Sequence, residues 1–267
     1  MAKQAPSRDY IFAVGRIRSL ERFLIPEEVF EEALTTDLAG ALRLFVESDL
    51  YSDELLHIKD SQQFEEVLTR ETFKLKKLVG ELILDRELLE LLKAEDICCL
   101  EKLLGTYRSA FLEDYLRHSI DMHNLKTFLR LYILKEPQEK LKAHLKCQGF
   151  ILKDDLLKLY TQDLAALLNH LEYVPKHYCS LDYTYFLGEA IQKLTRERSF
   201  LFLEKAINDF LIGILKEAKY ITFGPEPVLA YYFAKVNEIN LMRLVILAKL
   251  NKLPRDLIEE RLSAVYA

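Results

Sequence analysis

Tyr10-Ile-Phe-Ala-Val-Gly-Arg-Ile-Arg-Ser-Leu20-Glu-Arg-Phe-Leu24 is a stretch that the chain writes three times. It lines up without a gap on Tyr115-Leu-Arg-His-Ser-Ile-Asp-Met-His-Asn-Leu125-Lys-Thr-Phe-Leu129, and both line up on Tyr231-Tyr-Phe-Ala-Lys-Val-Asn-Glu-Ile-Asn-Leu241-Met-Arg-Leu-Val245. In each copy a Tyr is followed ten residues later by Leu, with Ser19, Asn124 or Asn240 just before it. A large apolar residue (Phe23, Phe128 or Leu244) falls three positions after that Leu. Such repetition predicts one supersecondary unit used three times around a shared core. Objects built that way are more often scaffolds or adaptors than enzymes with one pocket.

The residues that follow extend the repeat. Ile25 to Phe45 matches Ile151 to Leu171 without a gap, pairing Glu28 with Asp154, Phe30 with Leu156, Thr35 with Thr161, Asp37 with Asp163 and Leu42 with Leu168. Copy two carries extra residues from Arg130 to Phe150, enough for one short helix. Copy three repeats Leu24 to Leu34 as Lys252 to Leu262, without the Asp-Leu-Ala helix that follows in the others. The expected organisation is therefore three pseudo-symmetric helical repeats, 1–107, 108–223 and a shortened 224–267, within one compact unit.

Composition fits an all-α chain with ample core material. Half of the 267 residues are apolar and 30% are charged, Gly is scarce and Trp is absent. Leu, Glu, Lys and Ala dominate, so helix propensity is high nearly everywhere. A net charge of −5 gives no reason to expect a nucleic-acid partner, which calls for a basic surface. Met1 to Asp9 is polar and unlike a signal peptide. No window reaches ~18 uninterrupted apolar residues, so no membrane span is expected. Cys98, Cys99, Cys147 and Cys179 have neither CxxC nor zinc-finger spacing and read as at least partly buried thiols.

Punctuation places the helices. Asp9 is a candidate N-cap for a helix to Leu24, Pro26 opens the next, and Thr36 or Asp37 caps the one after. Ser61 to Leu104 reads as long and amphipathic, broken at Asp85 and ended by Gly105; Leu112 to Leu134 is another long helix. Tyr173 to Asp182 is a turn-rich connector, and Tyr183 to Lys219 a long helix or kinked pair. Gly224-Pro225-Glu226-Pro227 is the sharpest boundary, Gly stopping one helix and Pro starting the next.

The search for chemistry finds no anchor. The closest glycines are Gly213 and Gly224, so neither a P-loop nor a GxGxxG cradle exists and nucleotide binding by those routes is excluded. A helical di-iron site needs two ExxH pairs, and Glu54-Leu-Leu-His57 is the only one. His118 and His123 lie about 140° apart on a helix, the wrong spacing for a shared ligand. Asp114 and His118, at i and i+4, read as a helix-surface contact. No GxSxG elbow and no activated Cys appears. No catalytic, cofactor or metal residue is expected.

What remains is charge on helices. Glu27, Glu28, Glu31 and Glu32 suit the helix start after Pro26 through the helix dipole. Basic residues recur on the three matched helices: Arg16, Arg18 and Arg22; Arg117, Lys126 and Arg130; Lys235, Arg243 and Lys249. Solvated helix faces account for most such residues, but helices around a common axis would aim some into one concavity.

The run from Gly224 to Pro254 resembles the C subunit of prokaryotic V-type (A-type) ATP synthases, a family that includes the d subunit of eukaryotic V-ATPases. Tyr10, Ala13, Arg16 and Arg18 are similar to the family's opening Tyr-x-x-Ala-x-x-Arg-x-Arg pattern. The resemblance covers nearly the whole chain and is specific at the two ends; the chain looks short for the family. It implies a cytoplasmic, non-catalytic funnel of helices, peripheral to the membrane. It also implies two partners: the foot of the shaft, made of the D and F subunits, and the membrane rotor ring of proteolipid subunits. Torque would pass between them for ion transport or ATP synthesis, and the nine basic residues are the candidate partner-binding set. The other reading is a helical-repeat peptide-binding scaffold. Its repeats would be ~40–47 residues, whereas these copies begin 105 and 116 residues apart.

Overall fold

Local capping chemistry sets where the helices start. The computed structural model describes residues 7–47, 50–93, 104, 108–174 and 181–267. Its α-helices are α1 (Ile11–Glu21), α2 (Glu27–Thr35), α3 (Leu38–Val46), α4 (Ser61–Leu82), α5 (Arg86–Lys93), α6 (Ala110–Ile133) and α7 (Gln138–His144). They continue as α8 (Lys153–Tyr160), α9 (Leu164–Glu172), α10 (Tyr183–Glu197), α11 (Leu201–Lys216), α12 (Glu226–Leu250) and α13 (Arg255–Glu259). Short 3-10 turns lie at Ser7–Tyr10, Asp53–His57 and Glu217–Tyr220, and no strand occurs among the described residues. The fold is all-α.

Side-chain oxygens satisfy orphan N–H groups at several starts. Asp60 accepts from Gln63 N at 2.9 Å, Ser109 from Leu112 N at 3.2 Å and Asp182 from Thr184 N at 2.8 Å. The aligned pair Asp37 and Asp163 do the same job in α3 and α9, accepting from Gly40 N at 2.8 Å and Ala166 N at 2.9 Å. Asp9 is not a cap: it lies inside the turn Ser7–Tyr10, and α1 starts after Tyr10 without a side-chain cap. The expected break at Asp85 is present, since α4 ends at Leu82 and α5 begins at Arg86. Gly105, Cys98, Cys99 and Cys179 lie outside the described residues. The stretch after Tyr183 is a pair of helices, parted at Arg198, which adopts a left-handed φ of 53°. Gly224, at φ 108°, makes the turn into α12 that a residue with a Cβ would strain.

The chain forms two compact units. A split unit comprises Ala5–Asp85 with Leu215–Ala267, and a middle unit comprises Arg86–Ile214. The opening stretches of the first and third copies, Tyr10 to Leu24 and Tyr231 to Val245, lie in the split unit, and that of the second, Tyr115 to Leu129, in the middle unit; the unit boundaries at 85/86 and 214/215 do not coincide with the repeat boundaries.

In the split unit α12 is the axis, packed by α1, α2, α3, α4 and α13. Such a helix must be apolar nearly all round, and from Pro227 to Ala248 most of its residues are buried. Phe30 and Phe45, rings 5.4 Å apart, join Phe64, Ile17 and Leu68 in its core. In the middle unit α6 packs on α7 and α8, and α9 on α8 and α10. The repeat's opening tyrosines, Tyr10, Tyr115 and Tyr231, are all buried.

Candidate docking surface

Seven of the nine basic residues are engaged within their own unit. Arg18 donates to the carbonyls of Ala218 (2.7 Å), Lys219 (3.0 Å) and Ile221 (3.0 Å), closing the end of a 3-10 turn, and pairs with Glu21. Lys249 likewise donates to the carbonyls of Leu34 and Thr36 at the end of α2. Arg243 pairs with Glu65 at 2.9 Å, and Lys126 with Glu204 at 2.6 Å. Arg117 binds Glu113 and the Gln148 carbonyl, while Arg130 stands 5.6 Å over the Phe200 ring. Lys235 is buried, paired with Glu238 and 4.0 Å above the Tyr51 ring.

Arg16 and Arg22 stand apart, both exposed on α1 or at its end. At 100° per residue, Ala13, Val14 and Ile17 form the buried side of this helix, and Phe12, Gly15, Arg16 and Ser19 share the opposite side. Phe12 is 75% exposed, Ile11 57% and Phe23, just past the helix, 41%. A helix that buries one apolar stripe and leaves two phenylalanines outside, beside two arginines, has a surface suited to a protein partner. Nothing lies within 4 Å of where a Cβ on Gly15 would be, so the surface is open there.

Two buried carboxylates are not evident from the sequence. In the split unit Glu238 accepts the Tyr51 hydroxyl and the Ile25 N–H, each at 2.7 Å. In the middle unit Asp121 accepts the Tyr183 hydroxyl at 2.8 Å, the Ile151 N–H at 3.1 Å and the Phe150 N–H at 2.9 Å. Burial pushes the Asp121 carboxyl up to about 7, against the opposing pull of the Tyr183 hydroxyl, the two N–H groups and the Arg117 charge. His118 extends this cluster, its Nδ1 2.7 Å from the Tyr183 hydroxyl and its Nε2 3.6 Å from Asp114. Asp114 and His118 are thus buried partners, not the surface contact that their spacing suggested. The reason is packing: Phe150, Tyr183 and Phe210 surround the imidazole with ring centroids 4.6–5.4 Å away. The signal available was an Asp among apolar neighbours on a helix that is buried on most sides.

His57 is exposed at the end of its turn, and Glu54 pairs with Arg70. Cys147 is exposed where partial burial was expected, because it sits in the loop between α7 and α8. Among the described residues no group of His, Cys, Asp and Glu is placed to hold a metal, and no helix is long and apolar enough to cross a membrane.

Comparison with known proteins agrees with the resemblance at the C-terminal end. Over 147 residues the chain is 27% identical to the C subunit of the V-type sodium ATPase of Enterococcus hirae. That match spans 55% of this chain and 42% of that protein. The family model described as ATP synthase (C/AC39) subunit matches residues 76–261. That span is well over half of the 267 residues and includes α12 with the third copy, so the chain belongs to the ATP synthase (C/AC39) subunit family.

Proposed function

We propose that the chain is a non-catalytic central-stalk piece of a rotary V/A-type ATPase, joining a D–F shaft to the membrane rotor ring. Torque transfer needs rigid bodies and broad contacts rather than a reactive pocket, and long helices at interior packing density supply the rigidity. The observation that carries the reading is the outer face of α1, where Phe12 and Phe23 accompany Arg16 and Arg22 in solvent. Aromatic and Arg side chains are the usual anchors of protein interfaces, and this face belongs to the first copy of the repeat, which carries the Tyr-x-x-Ala-x-x-Arg-x-Arg resemblance and lies outside the residues 76–261 that the family model matches. The shaft docks there, with the arginines steering an acidic surface and the phenylalanines supplying buried area. The other basic residues act mainly by holding their own units together.

The test is capture of purified D–F by the wild-type chain and by the double variant Arg16→Glu/Arg22→Glu across a salt series. Wild type captures the shaft; the variant captures it less well at low salt, and helicity is unchanged. Failure of the wild type to capture the shaft ends the rotor reading. Equal capture by the variant at every salt concentration ends the assignment of this face. A second arm, calorimetric titration with Mg-ATP, gives no saturable heat if the chain is non-catalytic.

A further inference from the structure

The solvent side of α4 carries a pattern that its packing does not require. Within the split unit this helix packs on α12 and buries Phe64, Val67, Leu68, Leu75, Val79 and Leu82. Phe64 and Leu82 each lie nine residues from Phe73, about 180° around the helix. Phe73 is therefore at the centre of the outward side, and it is 69% exposed. A lone apolar residue on a surface needs no explanation, but this one stands among cations. Arg70, Lys76 and Lys77 are three or four residues from it, the spacing of helix-surface neighbours, and Lys74 adjoins it.

The charge of this patch faces solvent. Arg70 is paired with Glu54, another surface residue. Lys74 pairs with Glu71 at 2.8 Å, but the Glu71 side chain is 7% exposed and that of Lys74 63%, so the ammonium is the end that meets water. Lys77 is exposed and has no ion pair among the described residues. The other carboxylates on this side, Glu66 and Glu81, are about 10–12 Å from Phe73 along the helix axis. At physiological salt that is more than a Debye length.

The residue types choose the occupant. Lys is depleted at protein interfaces, and the core of such an interface excludes charge and buries about 800 Å² per partner. One phenylalanine among lysines on a convex helix offers no such core. The face has no groove either, since nothing lies within 4 Å of where a Cβ on Gly80 would be, two turns beyond Phe73. An anionic headgroup layer needs neither. Flexible Lys stems reach its phosphates, and an aromatic ring settles at the boundary of headgroups and acyl chains.

We infer that the outward face of α4 is a contact site for an anionic lipid surface, with Phe73 entering the headgroup layer and Arg70, Lys74, Lys76 and Lys77 at the phosphates. This contact goes beyond the rotor reading and does not depend on it, because it needs no shaft and lies on a different helix from the α1 face.

Co-sedimentation of the full chain with vesicles tests it, using phosphatidylcholine alone or mixed with phosphatidylglycerol. The chain binds the mixed vesicles and not the neutral ones, and added salt releases it. Lys77→Glu, a change of two charge units, weakens binding about 20-fold, and Phe73→Ala weakens it about fivefold. Both positions are exposed, so helicity and melting temperature stay as in wild type. Capture of D–F is unchanged in Lys77→Glu, and vesicle binding is unchanged in Arg16→Glu/Arg22→Glu, so either reading can fail without the other. Any of four results overturns the inference: no binding to the mixed vesicles, equal binding to the neutral ones, unchanged binding in either α4 variant, or retention on immobilised polyglutamate in place of vesicles. The last would assign the face to an acidic protein.

Discussion

The Tyr51 hydroxyl donates to the Glu238 carboxylate over 2.7 Å, joining positions 187 residues apart. The same carboxylate takes the N–H of Ile25, just as Asp121 takes the N–H of Ile151 together with the hydroxyl of Tyr183. Ile25 and Ile151 are aligned positions of the repeat. Each unit thus uses a buried carboxylate on its longest described helix to hold the start of a shorter helix pair and a distant tyrosine. In the split unit the helix comes from the third copy and the isoleucine from the first.

Glu238→Gln keeps an acceptor at only one of the two oxygens that take the Tyr51 hydroxyl and the Ile25 N–H, and it leaves the buried Lys235 ammonium without its counter-charge. Breaking such a pair from one side costs about 3–5 kcal/mol. Lys235→Met/Glu238→Gln, which removes both charges, recovers much of that loss. Urea unfolding followed by circular dichroism measures both, and equal midpoints for the single and double variants would remove the pair from the account.

Asp121 makes the stability of the middle unit depend on pH. Its folded-state carboxyl, raised to about 7 from 3.8, binds the proton more tightly than the unfolded chain does. This stabilising contribution is full below the unfolded value and is lost as pH rises through about 7. Relative to Asp121→Asn, wild type therefore loses stability between about pH 4 and pH 7, and the difference levels off above that. Thermal melts of both proteins across this window show the converging or parallel curves that decide it.

Gly149→Ala places a Cβ 2.1 Å from an Asp121 carboxylate oxygen. The carboxylate must move from the N–H groups of Phe150 and Ile151, at about 1–3 kcal/mol. Adding Asp121→Ala relieves the clash, so the two substitutions are non-additive in chemical denaturation. Strict additivity would mean that the loop moves instead.

Arg18→Ala and Arg16→Ala, two positions apart with identical chemistry, have different outcomes. Arg18→Ala uncovers three carbonyls and destabilises the chain by about 1–2 kcal/mol. Arg16→Ala stays within about 0.5 kcal/mol of wild type, as substitutions on an open surface do. Paired denaturation curves test this, and a loss in Arg16→Ala would show that the outer face of α1 is not open.

That pair also shows how far the sequence was readable. Helix placement followed from local signals: Asp37 before α3, the non-helical step ending at Asp85, and Gly224 with Pro225 before α12 all act within a few residues of themselves. Partners of long side chains do not. Arg16 and Arg18 differ by about 200° around α1, and only the packing brings the carbonyls of Ala218 and Lys219 to one of them. The recurrence of basic residues on the three matched helices therefore grouped Arg16 with residues whose work is internal. Glu238 and Asp121 were hidden for the same reason, since Tyr51 and Tyr183 lie far from them along the chain.

The division of the split unit between Ala5–Asp85 and Leu215–Ala267 has a consequence for how the chain comes off the ribosome. The middle unit is contiguous and has all its helices once residue 214 is out. Residues 5–85 emerge before the middle unit but lack α12, the helix that packs on α2 and α3 and supplies Glu238 to Ile25. At ~5–20 residues per second the intervening segment delays α12 by roughly 6–25 s. Throughout that interval residues 5–85 are an unfinished half-core, with the faces of α2 and α3 that α12 covers left bare.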